Sequence, residues 1–164
     1  MKSLFKCGSF FASIGLLLLS GCGVMDDDSD INSSDSGIVV EDEALRNAAI
    51  DFIANAGDRV FFPYDSSTLT QDARNILSRQ AQWLRNHTDR RVLIEGHCDE
   101  RGTREYNLGL GERRADAAAR YLTEQGISGD RVRTISYGKD KPIAVQGSSD
   151  EINRINRVAI AVIE

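Results

Sequence analysis

Apolar residues recur along this chain with two different periods, and the switches between them mark out its elements. Leu69, Ala73, Ile76, Leu77, Ala81 and Leu84 return at three- and four-residue steps from Thr70 to Arg85, which predicts a helix with one buried stripe. Thr70 suits its N-cap and Asp72 its first turn. A second helical stripe runs from Asn107 to Gln125 through Leu110, Ala115, Ala118, Ala119 and Leu122, with Gly126 suited to end it. Its inner residues are mostly small, so this helix is expected to lie close on a sheet. Residues 43–55 set Ala44, Ala48, Ile50 and Phe52 among charges and predict a short N-terminal helix that stops before Gly57.

Between the helices stand β-branched and aromatic runs: Val60 to Tyr64, Val92 to Ile94, Arg131 to Tyr137 and Val158 to Ile163. Pro63 has no N–H to give a ladder, so the first run is an edge, a bulge or a strand end. Val92 to Ile94 reads as a buried strand that turns polar at once, into Gly96, His97, Cys98, Asp99, Glu100, Arg101 and Gly102. A short polar segment from Ser149 to Asn153 reads as helical. The order β-α-β-α-β-β predicts an α/β (α+β) two-layer sandwich in which helices cover one face of a mixed β-sheet.

The chain has 164 residues and a formal charge of −5, but that charge is unevenly placed. Eight acidic residues between Asp26 and Glu43 stand with no Lys or Arg among them, while residues 44–164 hold 18 basic and 17 acidic side chains. A body so nearly neutral argues against a nucleic-acid partner. Three cysteines, Cys7, Cys22 and Cys98, make no disulfide framework, so the core must carry stability alone.

Lys2 and Lys6 precede an apolar stretch from Phe10 to Leu19, followed by the small residues Ser20 and Gly21, the layout of a secretory signal. The stretch is too short to span a bilayer comfortably. Leu19, Ser20, Gly21 and Cys22 look like a bacterial lipobox, which makes residues 1–21 the signal peptide and Cys22 the lipid-bearing first residue of the mature chain. A plain secretory signal with a chance cysteine is the alternative. More than one acyl chain gives stable anchoring. Gly23 and Val24 follow Cys22 where an Asp would mark inner-membrane retention, so an outer-membrane destination is expected. Residues 22–43 read as an acidic flexible tether with a relaxed reach of roughly 25 Å, and 44–164 as the folded domain.

Ligands of strand-to-helix units gather beyond the carboxyl ends of the strands, where Asp99 lies. Asn107, Leu110 and Arg114 share one face of the helix that follows. An acidic loop residue and an arginine one helix face away would define a two-pole pocket for a zwitterion. Asp99 would accept from an ammonium, and Arg114 would hold a carboxylate through its planar fork. A structural Asp99–Arg114 ion pair, or solvated charges on an amphipathic face, explains the same residues. The run His97, Cys98, Asp99, Glu100, with distant His87, does not support a metal site, because neighbours on an extended segment point to opposite faces and no CxxC or HExxH spacing is present. No partner base for a catalytic Cys98 is identifiable, and it reads as a small packed residue. Trp83, Phe61, Phe62 and Tyr64 read as core or rim packing.

FFPYDSS at 61–67, IEGHCDERGTREYNLGLGERRA at 94–115 and SYGKDKP at 136–142 resemble the OmpA-like peptidoglycan-binding domain, and within that family the lipoproteins of the Tol-Pal system. The resemblance implies non-covalent binding of the diaminopimelate residue in the peptide stem of peptidoglycan. That residue's free end carries an ammonium and a carboxylate. Asp99 and Arg114 match the motif's acidic and basic positions, Asn107 and Leu110 match others near the ligand, His97 belongs to the same motif, and Asp65 matches the acidic residue ending the first strand. Cys98 stands where the family usually has Ala or Thr, and Ile155, Asn156, Arg157 replace a common Asn-Arg-Arg, so that only Arg157 matches clearly. The expectation is therefore a non-enzymatic outer-membrane lipoprotein with no cofactor. Its domain faces the periplasm, grips peptidoglycan, and exchanges with TolB and other Tol-Pal components. The rivals are a protein-binding lipoprotein of the same fold and a wall hydrolase acting through His97, Cys98 or Glu100.

Overall fold

The computed structural model describes residues 36–145 and 149–164. In chain order they form α1 (Ser36–Asn55), β1 (Arg59–Phe61), α2 (Gln71–Asn86), β2 (Val92–His97), α3 (Arg104–Glu124), a 3-10 turn at Gly129–Arg131, β3 (Val132–Gly138), α4 (Asp150–Asn156) and β4 (Val158–Ile163). The signal peptide, Cys22 and most of the stretch read as tether lie outside the described residues. The helix α1 begins at Ser36, within that stretch, since no Gly or Pro interrupts residues 38–56.

Local chemistry sets the other boundaries. The Thr70 hydroxyl accepts from the Ala73 N–H at 3.2 Å and starts α2 as the pattern predicts. Helix α3 starts at Arg104 rather than Asn107, because Thr103 takes the N-cap and accepts from the Tyr106 N–H at 3.2 Å. Strand β1 is only three residues long; Phe62 N–H still reaches the Arg157 carbonyl at 2.9 Å, and Pro63 then ends the ladder.

The four strands lie in the order β1-β4-β2-β3, with β2 and β3 parallel and β4 antiparallel to both of its neighbours. Each parallel step is bridged by a helix, α2 between β1 and β2 and α3 between β2 and β3. Alternation places Val60, Val92, Ile94, Ala161 and Ile163 in one buried core with Leu77, Leu84, Ala115, Ala118 and Leu122 of the helices. The opposite face stays partly open, with Phe61, Ile135 and Val162 about two-fifths exposed. This is the two-layer α+β arrangement expected, a mixed sheet with helices on one side.

The small inner face of α3 does bring it onto the sheet, most closely at two glycines. A Cβ on Gly96 would sit 2.0 Å from the Gly111 carbonyl oxygen, so helix backbone rests directly on strand backbone. At that point the β2–β3 register slips between Gly96 and His97, and Cys98 N–H bonds the Gly138 carbonyl at 2.8 Å. The strand thus ends in a fixed turn that delivers residues 98–103 above the first turns of α3.

Candidate functional site

The loop leaving β2 is held from beneath. Asn107, almost fully buried, donates its side-chain N–H groups to the carbonyls of Arg101 (2.8 Å) and Thr103 (3.0 Å). The Cys98 thiol reaches the Asn107 carbonyl at 3.4 Å, and burial pushes its pKa up despite the neighbouring Arg114 charge. Asp99 is thereby fixed at the loop's inner edge, 4% exposed. Its carboxylate accepts from Arg101 Nη2 at 2.7 Å and Arg157 Nη1 at 3.3 Å. Burial alone would raise the Asp99 pKa, but the Arg101 and Arg157 guanidiniums outweigh it and hold the carboxyl below its ordinary range.

Arg114, on the third turn of α3, is completely buried. Nε donates to the Ser66 carbonyl at 2.9 Å, Nη1 to the His97 carbonyl at 2.9 Å and the Cys98 sulfur at 3.3 Å, and Nη2 to the Pro63 carbonyl at 3.1 Å. The guanidinium also lies 5.4 Å from the Phe62 ring centroid. Burial lowers its pKa, but an arginine stays charged at any physiological pH. Four of its five N–H groups are thus engaged, leaving one on Nη2 with no partner among the described residues.

These groups meet in one cleft of about 100 Å³, lined by Asp99, Arg114, Asn107, Leu110 and Asp65 and closed by Tyr64, Tyr106, Arg101 and Arg157. Asp65 has the left-handed backbone (φ 50°) that Asp tolerates, and it accepts a hydrogen bond from the Tyr106 hydroxyl, which raises the Tyr106 pKa. Arg101 reaches across the rim, 4.1 Å above the Tyr64 ring.

Five of the six candidate residues therefore share one cleft. The sixth, His97, does not line it: its ring turns away toward the Lys141 carbonyl, 2.9 Å from Nδ1, and only its own carbonyl touches Arg114. That follows from its place on β2 before the chain turns. Two details differ from the sequence-based expectation. Asp99 pairs with Arg101 and Arg157, so the simple Asp99–Arg114 ion pair is not among the described contacts. The Arg114 fork is filled by protein carbonyls, so a ligand meets a single N–H. Tyr64 stands on the rim, one of the two places its sequence context allows, whereas nothing in the sequence reading points to Arg101 or Tyr106. Arg101 has a local signal, two residues beyond Asp99, whereas Arg157 arrives only through β4–β1 pairing. Among the described residues no group of three or more His, Cys, Asp or Glu is placed to hold a metal ion.

Residues 61–156 match the OmpA family. Over 99% of its length the chain is 41% identical to a peptidoglycan-associated lipoprotein of Agrobacterium fabrum, covering 91% of that protein, and over 82% of its length it is 46% identical to one of Mesorhizobium japonicum, covering 79%. Among solved structures, the peptidoglycan-associated lipoprotein of Burkholderia pseudomallei superposes with a TM-score of 0.63 at 38% identity, over 65% of this chain and 90% of that one. A MotB-like protein of Desulfovibrio vulgaris, 21% identical, shares the fold with a TM-score of 0.61, over 74% of this chain and 91% of that one. The relatives from Agrobacterium fabrum, Mesorhizobium japonicum and Burkholderia pseudomallei are named for association with peptidoglycan and for no enzymatic activity, and the chain is no enzyme. Fold, cleft and relatives converge: the chain belongs to the OmpA family, in its group of peptidoglycan-associated lipoproteins.

Proposed function

We propose that this protein is an outer-membrane lipoprotein that binds peptidoglycan non-covalently through the diaminopimelate residue of its peptide stem. The observation that carries the reading is a buried carboxylate, Asp99, and a buried guanidinium, Arg114, in one small cleft, with an N–H of the latter unengaged. A residue ending in an ammonium and a carboxylate satisfies both poles. Its ammonium takes an Asp99 oxygen in place of Arg101, whose side chain is 39% exposed and movable. Its carboxylate accepts the remaining Arg114 N–H, with Leu110 and Asp65 along its stem.

Lipid on Cys22 would fix the protein to the outer membrane, and the residues before the domain would let it reach the wall, where tethering raises the effective concentration. The domain then links membrane to wall as part of the Tol-Pal system, exchanging with TolB and supporting envelope integrity and cell division. The test is co-sedimentation of the full chain with diaminopimelate-type sacculi, against Asp99→Ala and Arg114→Ala variants checked for folding. Pelleting of the wild type and retention of both variants in solution is the expected result. A wild type that stays in solution overturns the reading in favour of a protein-binding lipoprotein.

A further inference from the structure

A second cavity, of about 320 Å³, opens on the other side of Cys98, between the loop that follows β3 and helix α4. Two asparagines of α4 line it, both about 5% exposed or less, and they differ in one respect. Asn156 is engaged at both ends: its carbonyl oxygen accepts from the N–H groups of Ile143 (2.8 Å) and Ala144 (2.9 Å), and its amide donates to the Ala144 carbonyl at 3.0 Å. It fixes the wall. Asn153 faces the same space, and no hydrogen bond among the described residues ends on its side chain. A primary amide that no protein group engages, set on the wall of a cavity, is placed to pair with a ligand.

The surroundings say what kind of ligand. Two of the three charged residues at the mouth are engaged, and the third, Glu100, sets a carboxylate there. Lys139 donates to the carbonyls of Glu100 (3.2 Å) and Gly102 (2.6 Å), and Asp140 accepts from Arg104 at 2.7 Å. The remaining walls are apolar, from Pro142, Ala144 and Ile152. A neutral group that both donates and accepts, flanked by a methyl, fits Asn153 and these walls; an anion, which Glu100 would repel, does not.

We propose that this cavity is a second subsite, in which Asn153 pairs with a secondary amide carrying an adjacent methyl. For its ligand the proposal rests on the wall-binding reading, and peptidoglycan supplies that chemistry twice, as the acetamido group of its amino sugars and as the alanyl amide of its stem. Because Cys98 walls both cavities, one wall fragment can occupy the two together.

The test titrates the full chain calorimetrically with three probes: free diaminopimelate, N-acetylglucosamine, and a diaminopimelate-containing stem tetrapeptide. The variants are Asn153→Leu, of similar shape without the amide, and Ile152→Trp, which fills the space. Both are expected to weaken N-acetylglucosamine or the tetrapeptide about five- to tenfold while binding free diaminopimelate as the wild type does. The probe affected identifies the amide's source. Asn153→Leu is also expected to keep or raise the melting temperature, which a purely structural asparagine would not do. Undiminished binding of both larger probes by the two variants overturns the proposal, as does failure of the wild type to bind either. Failure of the wild type to bind free diaminopimelate overturns the reading of the Asp99 cleft instead, and Asn153-dependent binding of N-acetylglucosamine would still stand.

Discussion

Two arginines clamp the two ends of this domain, and only one of them lines the cleft that holds Asp99. Arg131, the last residue of the 3-10 turn before β3, donates to the carbonyls of Leu84 (3.0 Å), His87 (2.7 Å) and Arg90 (2.7 Å) and so gathers the C-terminal end of α2, where backbone carbonyls lack helical partners. Arg114 gathers the carbonyls of Pro63, Ser66 and His97 in the same manner at the other end. An arginine on carbonyls is therefore a structural device by itself. Arg114 differs in what lies beside it: a buried carboxylate 15 positions earlier in the chain, a cleft, and one N–H still unengaged.

Substitutions should separate the two cases. Arg114→Ala strips donors from three carbonyls and opens the cleft, so it should cost about 3–5 kcal/mol in urea unfolding and abolish pelleting with sacculi together. Asp99→Ala should abolish pelleting at a cost of about 2–5 kcal/mol in binding, with a smaller loss of stability, since Arg101 keeps its access to water. Arg131→Ala should lower stability by about 1–3 kcal/mol and leave pelleting of the folded fraction intact. Loss of pelleting by folded Arg131→Ala would erase the distinction.

Asp99 also fixes the sign of the pH dependence. Its pKa is depressed in the folded state, so its contribution to stability is fully present above the unfolded value, about 4, and fades as the pH falls through the folded one. Sacculus binding that needs the carboxylate should stay flat from pH 8 to about 5 and fall only below about 4. Asp99→Asn should flatten the unfolding midpoint across that acid window. A wild-type binding curve that drops near pH 6 would point to another group.

The helical stripes and buried strands were legible because each follows from a local period: α2 and β4 fall where Leu77, Leu84, Val158 and Ile163 put them. The start of α3 was misplaced because Thr103 caps it after a loop whose polar residues hid the cap. The cleft was half legible. Asp99, Asn107, Leu110 and Arg114 sit on one strand–loop–helix unit, so spacing alone brings them together. What occupies the Arg114 fork was not, since the carbonyls of Pro63 and Ser66 carry no side-chain signature and lie about 50 residues away. His97 was grouped with the site by its motif, whereas its position on the strand turns its ring to Lys141.

The finest test of the comparison concerns Arg101, which holds Asp99 in the free protein where the ligand's ammonium would sit. Its side chain is 39% exposed and rests on Tyr64, so it leaves the carboxylate at little cost, and Arg157, 13% exposed, remains behind to keep Asp99 ionised. Only the arginine's side of this pair is open to water, and Arg157 stays on the carboxylate when Arg101 leaves. Arg101→Gln should therefore cost less stability than Asp99→Ala and tighten free diaminopimelate a few-fold, because the ammonium no longer displaces a competing cation. Arg157→Gln should do the reverse, weakening binding by unsettling the carboxylate from its buried side. If Arg101→Gln instead weakens binding as much as Asp99→Ala does, Arg101 contacts the ligand directly, and the cationic pole of the cleft is shared between it and Arg114.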